Sequence, residues 1–170
     1  MRMDPLQVGM PAPDFTLKEQ HGAEISLADY RGRKNVLLVF YPFAFSGICT
    51  GELSEVRDDL GAFENDDVQV LAISADPMFS LRAWSMQEGY TFPLLSDFWP
   101  HGAAARAYGV LEQDGGFAIR GTFLIDREGI VRWSLIHGPE LGRQWDGYRA
   151  SLKALPAPSA PAAPPELSPR

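Results

Sequence analysis

The 170-residue sequence predicts an α/β protein in which a sheet carries helices on both faces. A continuous apolar run at 36–41 is typical of a strand buried on both sides, and residues 68–74 are predicted to form a second buried strand. The segment between them places apolar residues three and four positions apart, as on one face of a helix. Reactive groups in such folds lie beyond the carboxyl ends of the parallel strands, so the segment after residue 41 is of particular interest.

The N-terminal part is predicted to form a β-hairpin. Residues 9–13 read as an extended entry segment, and residues 14–17 and 24–26 alternate apolar and polar side chains around a turn-rich segment. After the strand at 36–41, a helix is predicted over residues 50–64. The apolar residues that define its face are Leu53, Val56, Leu60 and Phe63.

The strand at 68–74 leads into a second predicted helix. Asp76 is its expected N-cap and Pro77 its first residue, because aspartate accepts free backbone N–H bonds and proline needs none there. The inner face of this helix is predicted to carry Leu81, Trp84 and Met86.

The remaining predicted elements are a short strand, a short helix capped by Ser96 or Asp97, a hairpin with a compact connection, and a last helix. They span residues 92–95, 103–108, 122–126 with 130–133, and 145–155.

Residues 1–155 are expected to form one domain, and residues 156–170 a Pro/Ala-rich disordered tail. Six of those last fifteen residues are proline, a composition that cannot build a core. The sequence has no apolar run long enough to span a bilayer, and its start does not resemble a secretory signal.

Net charge and cysteine usage narrow the class of protein further. The net charge of −7 disfavours nucleic acid or an anionic membrane as a partner, because both would repel the protein. Cys49 is the single cysteine, which excludes a disulfide within one chain. Together with the expected lack of a membrane span and a secretory signal, the single cysteine favours a reducing, cytoplasmic setting.

Cys49 follows the first buried strand and stands at the start of a predicted helix. A thiol reacts as its thiolate, and an unperturbed thiol with a pKa of about 8.5 forms little of it at neutral pH. The free N–H groups and the dipole of a helix N-terminus favour the anion. This context indicates a nucleophile, whereas a lone cysteine taken by count alone is usually a buried hydrophobe.

Residues 42–49, PFAFSGIC, resemble the first signature of the peroxiredoxin family, in which a proline, a threonine or serine and a reactive cysteine keep fixed spacing. Glu52 also matches that pattern. Residues 120–126, RGTFLID, are similar to the second signature, whose leading arginine contacts the thiolate. Order and spacing agree from about residue 8 to residue 145, and several segments resemble the AhpE-like one-cysteine peroxiredoxins of actinobacteria.

The resemblance implies a thioredoxin-like fold with a central mixed sheet, and a peroxidase that needs no cofactor. It also implies a homodimer or a larger homo-oligomer. Since no second cysteine can resolve the oxidised thiol, an external reductant is required. In the subgroup this is a mycothiol and mycoredoxin-like system; a thioredoxin-like partner is the other option.

The resemblance also assigns roles to five residues. Cys49 would attack the peroxide and become a sulfenic acid. Arg120 and the Ser46 hydroxyl would donate hydrogen bonds to the reacting atoms, together with the Cys49 backbone N–H. Glu52 would hold Arg120 through a bidentate pair, and Pro42 would shield the loop from water.

Several of these assignments have a structural alternative. Ser46 would be only a helix cap, Arg120 a surface residue at a strand start, and Glu52 a favourable carboxylate in a first helical turn. The histidines are not spaced as metal ligands, so no metal site is predicted; they are His21, His101 and His137. Four aromatic residues are expected in the core or a subunit interface: Trp84, Phe92, Trp99 and Phe123.

Two other functions use the same residues. A peroxide sensor would oxidise Cys49 and signal to a partner instead of turning over. A thioredoxin-like binding module with a decayed site is disfavoured by the intact set of site residues. A thiol–disulfide oxidoreductase would need a second cysteine where Glu52 stands, and the glutamine and tryptophan partners of a glutathione peroxidase are not found.

Overall fold

In the computed structural model, which describes residues 4–136 and 145–156, a seven-stranded mixed sheet forms the centre of the molecule. The strands span β1 Thr16–Lys18, β2 Glu24–Ser26, β3 Asn35–Phe40, β4 Val68–Ser74, β5 Leu94–Ser96, β8 Gly121–Ile125 and β9 Val131–Ile136. Their order in the sheet is β2-β1-β5-β4-β3-β8-β9. A separate two-stranded hairpin joins β6 Leu111–Glu112 to β7 Phe117–Ala118.

Strands β3, β4 and β5 run parallel, and β8 and β1 pair antiparallel on either side of them. The helices are α1 Gly47–Asp58, α2 Met78–Glu88, α3 Ala103–Ala107 and α4 Asp146–Ala154, with short 3-10 turns at Leu27–Tyr30 and Leu60–Ala62. This confirms the predicted α/β class, the N-terminal hairpin and the mixed sheet with flanking helices.

The two faces of β3 pack against different helices because successive side chains of a strand point to opposite sides. Leu37 and Val39 belong to a core cluster that includes residues of α1, α2 and α4. Leu38 and Phe40 belong to a second cluster that includes α3 and the N-terminal segment. Every residue of β3 and β4 is buried, as predicted for the segments 36–41 and 68–74.

The predicted helix over residues 50–64 is displaced. Helix α1 begins at Gly47 and ends at Asp58, and a 3-10 turn at Leu60–Ala62 follows. The apolar spacing continues through this turn, and Phe63 is still buried, so periodicity alone extends the helix too far. The earlier start matters for function because it brings Cys49 inside the first turn.

Two expectations for α2 are wrong. The helix begins at Met78, one residue later than predicted. Asp76 does not cap it, because the carboxylate accepts its hydrogen bonds from the Ala44 N–H and the Ser74 hydroxyl. Leu81 and Trp84 are buried as predicted, but Met86 is 75% exposed. Residues two positions apart on a helix do not share a face, so Met86 cannot join Trp84 in the core.

The later elements lie close to their predicted positions. β5 starts two residues late because Pro93 interrupts the segment, and β9 extends three residues further than expected. Asp97 accepts bonds from the backbone N–H groups of Ala104 and Ala105, as expected for the cap of α3. The β6–β7 hairpin was not predicted, because each of its strands has only two residues.

Some predictions lie outside the described residues: His137 and nearly all of the predicted tail, residues 157–170. Among the helices of the described ranges, none is both long and apolar enough to cross a bilayer.

Candidate active site

Cys49 lies in the first turn of α1, directly beyond the carboxyl end of β3. The first intrahelical bond runs from the Thr50 N–H to the Ser46 carbonyl, over 2.9 Å. The N–H groups from Ser46 to Cys49 therefore precede the helical hydrogen-bond ladder and form its positive end. The cysteine is only 2% exposed, so its sulfur is largely sheltered from water by the loop and the helix.

Ser46 occupies the N-cap position of α1, with an extended backbone. Its hydroxyl makes no capping bond, so the alternative that Ser46 serves only as a cap does not describe this structure. Its carbonyl accepts two bonds from Thr50, one from the backbone N–H and one of 2.7 Å from the hydroxyl. The position of Ser46 is thus fixed through its backbone, while its side chain does not cap the N-terminus of α1.

Arg120 and Glu52 form a buried ion pair, with side chains that are each 5% exposed. Glu52 is one turn after Cys49 on α1, and Arg120 directly precedes β8, which pairs with β3. Burial lowers the pKa of the Arg120 guanidinium, while the negative charge on Cys49 acts to raise it. Arg120 is thus close enough to interact electrostatically with the thiolate, and it is not the surface residue of the alternative interpretation.

The loop between β3 and α1, which precedes Cys49, presents apolar side chains at the surface. Pro42 is half-buried, while Phe43, Phe45 and Ile48 are each about half exposed. The Phe43 ring lies 5.2 Å from that of Phe117 in the small β6–β7 hairpin. The hairpin, which the sequence did not reveal, therefore packs against the loop that precedes Cys49.

Three polar residues near the site were not assigned to it from the sequence. Tyr41 and Asp76 lie at the carboxyl ends of β3 and β4, and Tyr90 follows α2. Burial raises the pKa of Tyr41 well above its usual value, and nearby Asp76 and Cys49 add to this effect, so Tyr41 is a neutral phenol beside the cysteine. The carboxyl ends of neighbouring parallel strands meet at one edge, and this rule would have drawn attention to Asp76.

Tyr90 holds the first turn of the cysteine helix from the side. Its hydroxyl donates to the Thr50 carbonyl over 3.0 Å and lies 3.0 Å from the Ser54 hydroxyl. Its ring packs edge-on against Trp84, with 5.1 Å between the ring centroids. No sequence pattern connects residue 90 with residue 50, because the contact depends on how α1 and the end of α2 pack.

Replacing Tyr90 with phenylalanine is expected to lower the free energy of unfolding by about 1–2 kcal/mol, since the hydroxyl contacts are lost while the ring packing is retained. Urea denaturation of the two proteins, with an unchanged slope, measures this difference. Equal stability of the two proteins would show that the hydroxyl contacts with Thr50 and Ser54 contribute nothing.

The four aromatic residues expected in the core or a subunit interface differ in burial, and Trp84 and Phe92 belong to the core cluster that includes Cys49. Trp84, Phe92 and Phe123 are fully buried, as expected for core residues, whereas Trp99 is 79% exposed and takes no part in the core. His101 contacts the Gly116 carbonyl through its Nε2 atom, which is a structural role.

A thioredoxin-like α/β fold with a buried thiol at a helix N-terminus, opposite an arginine held by a carboxylate, is the architecture of a thiol-dependent peroxidase. Residues 8–134 match the AhpC/TSA family. The chain belongs to this family, and it is a peroxiredoxin.

Comparison with known proteins of similar sequence and structure supports the same family assignment. The chain is 53% identical over 152 residues to alkyl hydroperoxide reductase E of Mycobacterium tuberculosis, covering 89% of this chain and 99% of the relative. A crystal structure of peroxidoxin BcpB from M. tuberculosis superposes with a TM-score of 0.79 at 28% identity, covering 89% and 99% of the two chains. Reduced 2-Cys peroxiredoxin of Plasmodium vivax gives a TM-score of 0.78 at 30% identity, covering 88% and 82%.

Proposed function

We propose that Cys49 is the peroxidatic nucleophile of this thiol-dependent peroxidase. The observation that carries the proposal is the placement of the buried thiol in the first turn of α1, within electrostatic range of Arg120. In the first step the thiolate attacks the terminal oxygen of a hydroperoxide. The S–O bond forms as the O–O bond breaks, and the leaving alkoxide or hydroxide takes up a proton to give an alcohol or water.

The transition state distributes negative charge over sulfur and two oxygens, so donors must point along that line of atoms. Arg120 supplies a permanent positive charge and a rigid set of N–H donors. The Ser46 hydroxyl and the Cys49 N–H donate from the helix N-terminus. Glu52 orients the guanidinium, and Pro42 limits the access of water.

The substrates are hydrogen peroxide and organic hydroperoxides. The relative named alkyl hydroperoxide reductase E supports the organic class. The half-exposed side chains of Phe43, Phe45 and Ile48 support it as well, because they offer apolar surface to an alkyl group beside the cysteine.

An external thiol completes the cycle, because the chain has one cysteine. The first thiol molecule attacks the sulfenic sulfur, releasing water and leaving a mixed disulfide on Cys49. A second thiol attacks the sulfur of the first one, so the two thiol molecules leave as a disulfide and Cys49 is released as a thiolate. The reductant is a mycothiol and mycoredoxin-like system or a thioredoxin-like protein, and the protein acts in the cytoplasm.

The working form is a homodimer or a larger homo-oligomer. Exposed aromatic side chains outside the core support this assembly, since Phe79 is 69% and Trp99 is 79% exposed. Large apolar groups in contact with water are typical of surfaces that another protein covers.

Stopped-flow tryptophan fluorescence tests the first step directly. Trp84 is a suitable reporter, because the rings of Tyr41 and Phe45 lie 5.5 and 6.2 Å from it. The reduced protein is expected to react with hydrogen peroxide or tert-butyl hydroperoxide at least about 100-fold faster than free cysteine, since a single aligned donor contributes about 10²–10³. A rate equal to that of free cysteine would refute the proposal.

Mass spectrometry and a turnover assay follow the oxidised state. Without a thiol, excess peroxide is expected to carry Cys49 on to the sulfinic acid, a gain of two oxygen atoms. With a thiol present, continuous peroxide consumption is expected, which separates an enzyme from a sensor that reacts once. An unmodified Cys49 after peroxide treatment would contradict the mechanism.

A further inference from the structure

Asp76 lies just beyond the carboxyl end of β4, where its side chain reaches across to the loop that precedes Cys49. One carboxylate oxygen, Oδ2, accepts a 2.8 Å bond from the Ala44 N–H. The same oxygen accepts a 2.6 Å bond from the Ser74 hydroxyl. Asp76 therefore connects the middle of the active-site loop to the end of a buried strand.

The backbone of Asp76 is held as firmly as its side chain. The Ser96 hydroxyl, at the end of β5, donates a 2.7 Å bond to the Asp76 carbonyl. The neighbouring strands β4 and β5 thus fix the position from which the carboxylate reaches Ala44. This arrangement also explains why Asp76 does not cap α2, where its sequence position would have suggested it.

The loop that Asp76 contacts is strained. Phe45, the next residue after Ala44, has a φ of 68°, a left-handed conformation that is unfavourable for a residue with a side chain. Such a conformation persists only where its surroundings enforce it. The Asp76–Ala44 bond enforces it on one side, and the contact of the Phe45 ring with Trp84 does so on the other.

Ser46 and the N-terminus of α1 follow directly after this strained residue. Small displacements at a reacting centre reduce rates strongly, by about 100-fold for a shift of 1 Å. The conformation of residues 44 and 45 thus sets where the Ser46 hydroxyl and the Cys49 N–H point.

We propose that Asp76 is a positioning residue for peroxide reduction: its carboxylate holds the loop at Ala44 in the strained form that aligns Ser46 and Cys49. The inference rests on the proposed role of Cys49 as the nucleophile. Asp76 itself touches no reacting atom, so it acts through the loop. Loss of the carboxylate lets Phe45 relax and turns the donors away from the peroxide.

The chain offers matched variants for the test. Asp76→Asn keeps an oxygen that can accept both bonds, whereas Asp76→Ala removes them. Asp126→Ala is the control, because the Asp126 side chain also accepts two backbone N–H bonds, from Glu128 and Ile130, but in a turn at the opposite edge of the sheet. Asp76→Leu also removes both bonds while keeping about the size of the side chain, so it is the second variant without an acceptor.

Two rates distinguish positioning from general loss of stability. The first is the stopped-flow rate with hydrogen peroxide, which needs aligned donors. The second is alkylation of Cys49 by iodoacetamide, which needs a thiolate but no donors to a peroxide. Asp76→Ala is expected to lower the peroxide rate about 10- to 100-fold while alkylation stays equal or becomes faster, because the loop is looser. Asp76→Asn is expected to stay within about threefold of the parent in both rates, and Asp126→Ala within about twofold.

Unchanged peroxide reduction in Asp76→Ala, or a parallel fall of both rates, would overturn the inference and leave the proposed role of Cys49 intact. Failure of Asp76→Asn to restore the peroxide rate would overturn it too. If Asp76→Ala does not fold, Asp76→Leu decides by the same two rates, with the same expected results. A parent protein that reacts no faster than free cysteine would instead refute the role of Cys49, and the inference with it.

Discussion

Replacing Cys49 with serine is expected to abolish peroxide reduction, because a hydroxyl at neutral pH carries no significant negative charge and cannot attack the O–O bond. The chain has no other cysteine that could take over. The expected result is no fluorescence change on mixing with peroxide, and no peroxide consumption with a thiol reductant.

The serine variant should retain the fold, since sulfur and oxygen differ little in size and the site already borders polar groups. Circular dichroism and thermal unfolding verify this before the kinetic result is interpreted. Residual turnover above that of buffer and thiol alone would show that another group performs the chemistry. Cys49→Ala, which removes the hydroxyl as well, must give the same null rate.

Replacing Arg120 is expected to have the second largest effect. Arg120→Lys keeps the charge but loses the planar set of donors, and the peroxide rate is expected to fall about 100- to 1,000-fold. The stopped-flow assay measures this fall directly. Arg132→Lys is the matched control, because Arg132 is also paired with a carboxylate, that of Asp126, but at the far edge of the sheet. A lysine variant with the parent rate would exclude Arg120 from the transition state.

The ion pair with Glu52 allows stability and activity to be separated. Arg120→Met removes the positive charge that is paired with the buried Glu52 carboxylate, which is expected to cost about 3–5 kcal/mol of unfolding free energy. Adding Glu52→Gln removes the buried charge and is expected to recover most of that loss. The double variant should nevertheless remain slow with peroxide, because Arg120 is absent. Recovery of the peroxide rate together with stability would assign the pair a purely structural function.

The sequence predicted the elements that its apolar pattern encodes. β3 and β4 are buried on both faces and therefore mostly apolar, with Asn35, Gln69 and Ser74 as exceptions, which makes them easy to locate. The end of α1 was misplaced because Leu60 and Phe63 continue the helical spacing through a 3-10 turn. The β6–β7 hairpin was missed because two-residue strands carry no periodic signal.

In the candidate site, too, some features were predicted from the sequence and others were not. Cys49 and Arg120 were found because two sequence signatures contain them, although 71 positions separate them along the chain. The contacts of Asp76 with Ala44 and of Tyr90 with Thr50 were not found. Such contacts join segments through single hydrogen bonds, and an aspartate beside a proline looks the same whether it caps a helix or holds a loop.

The alternation of β3 has a practical consequence for engineering. Leu37 and Val39 pack on the side of the cysteine helix, and Leu38 and Phe40 pack on the side of α3. The sheet thus separates the core cluster that includes Cys49 from the core cluster that includes α3. Repacking around α3 can raise heat resistance while the geometry around the thiol stays untouched, so a laboratory seeking a more durable catalyst should direct its mutant libraries there first.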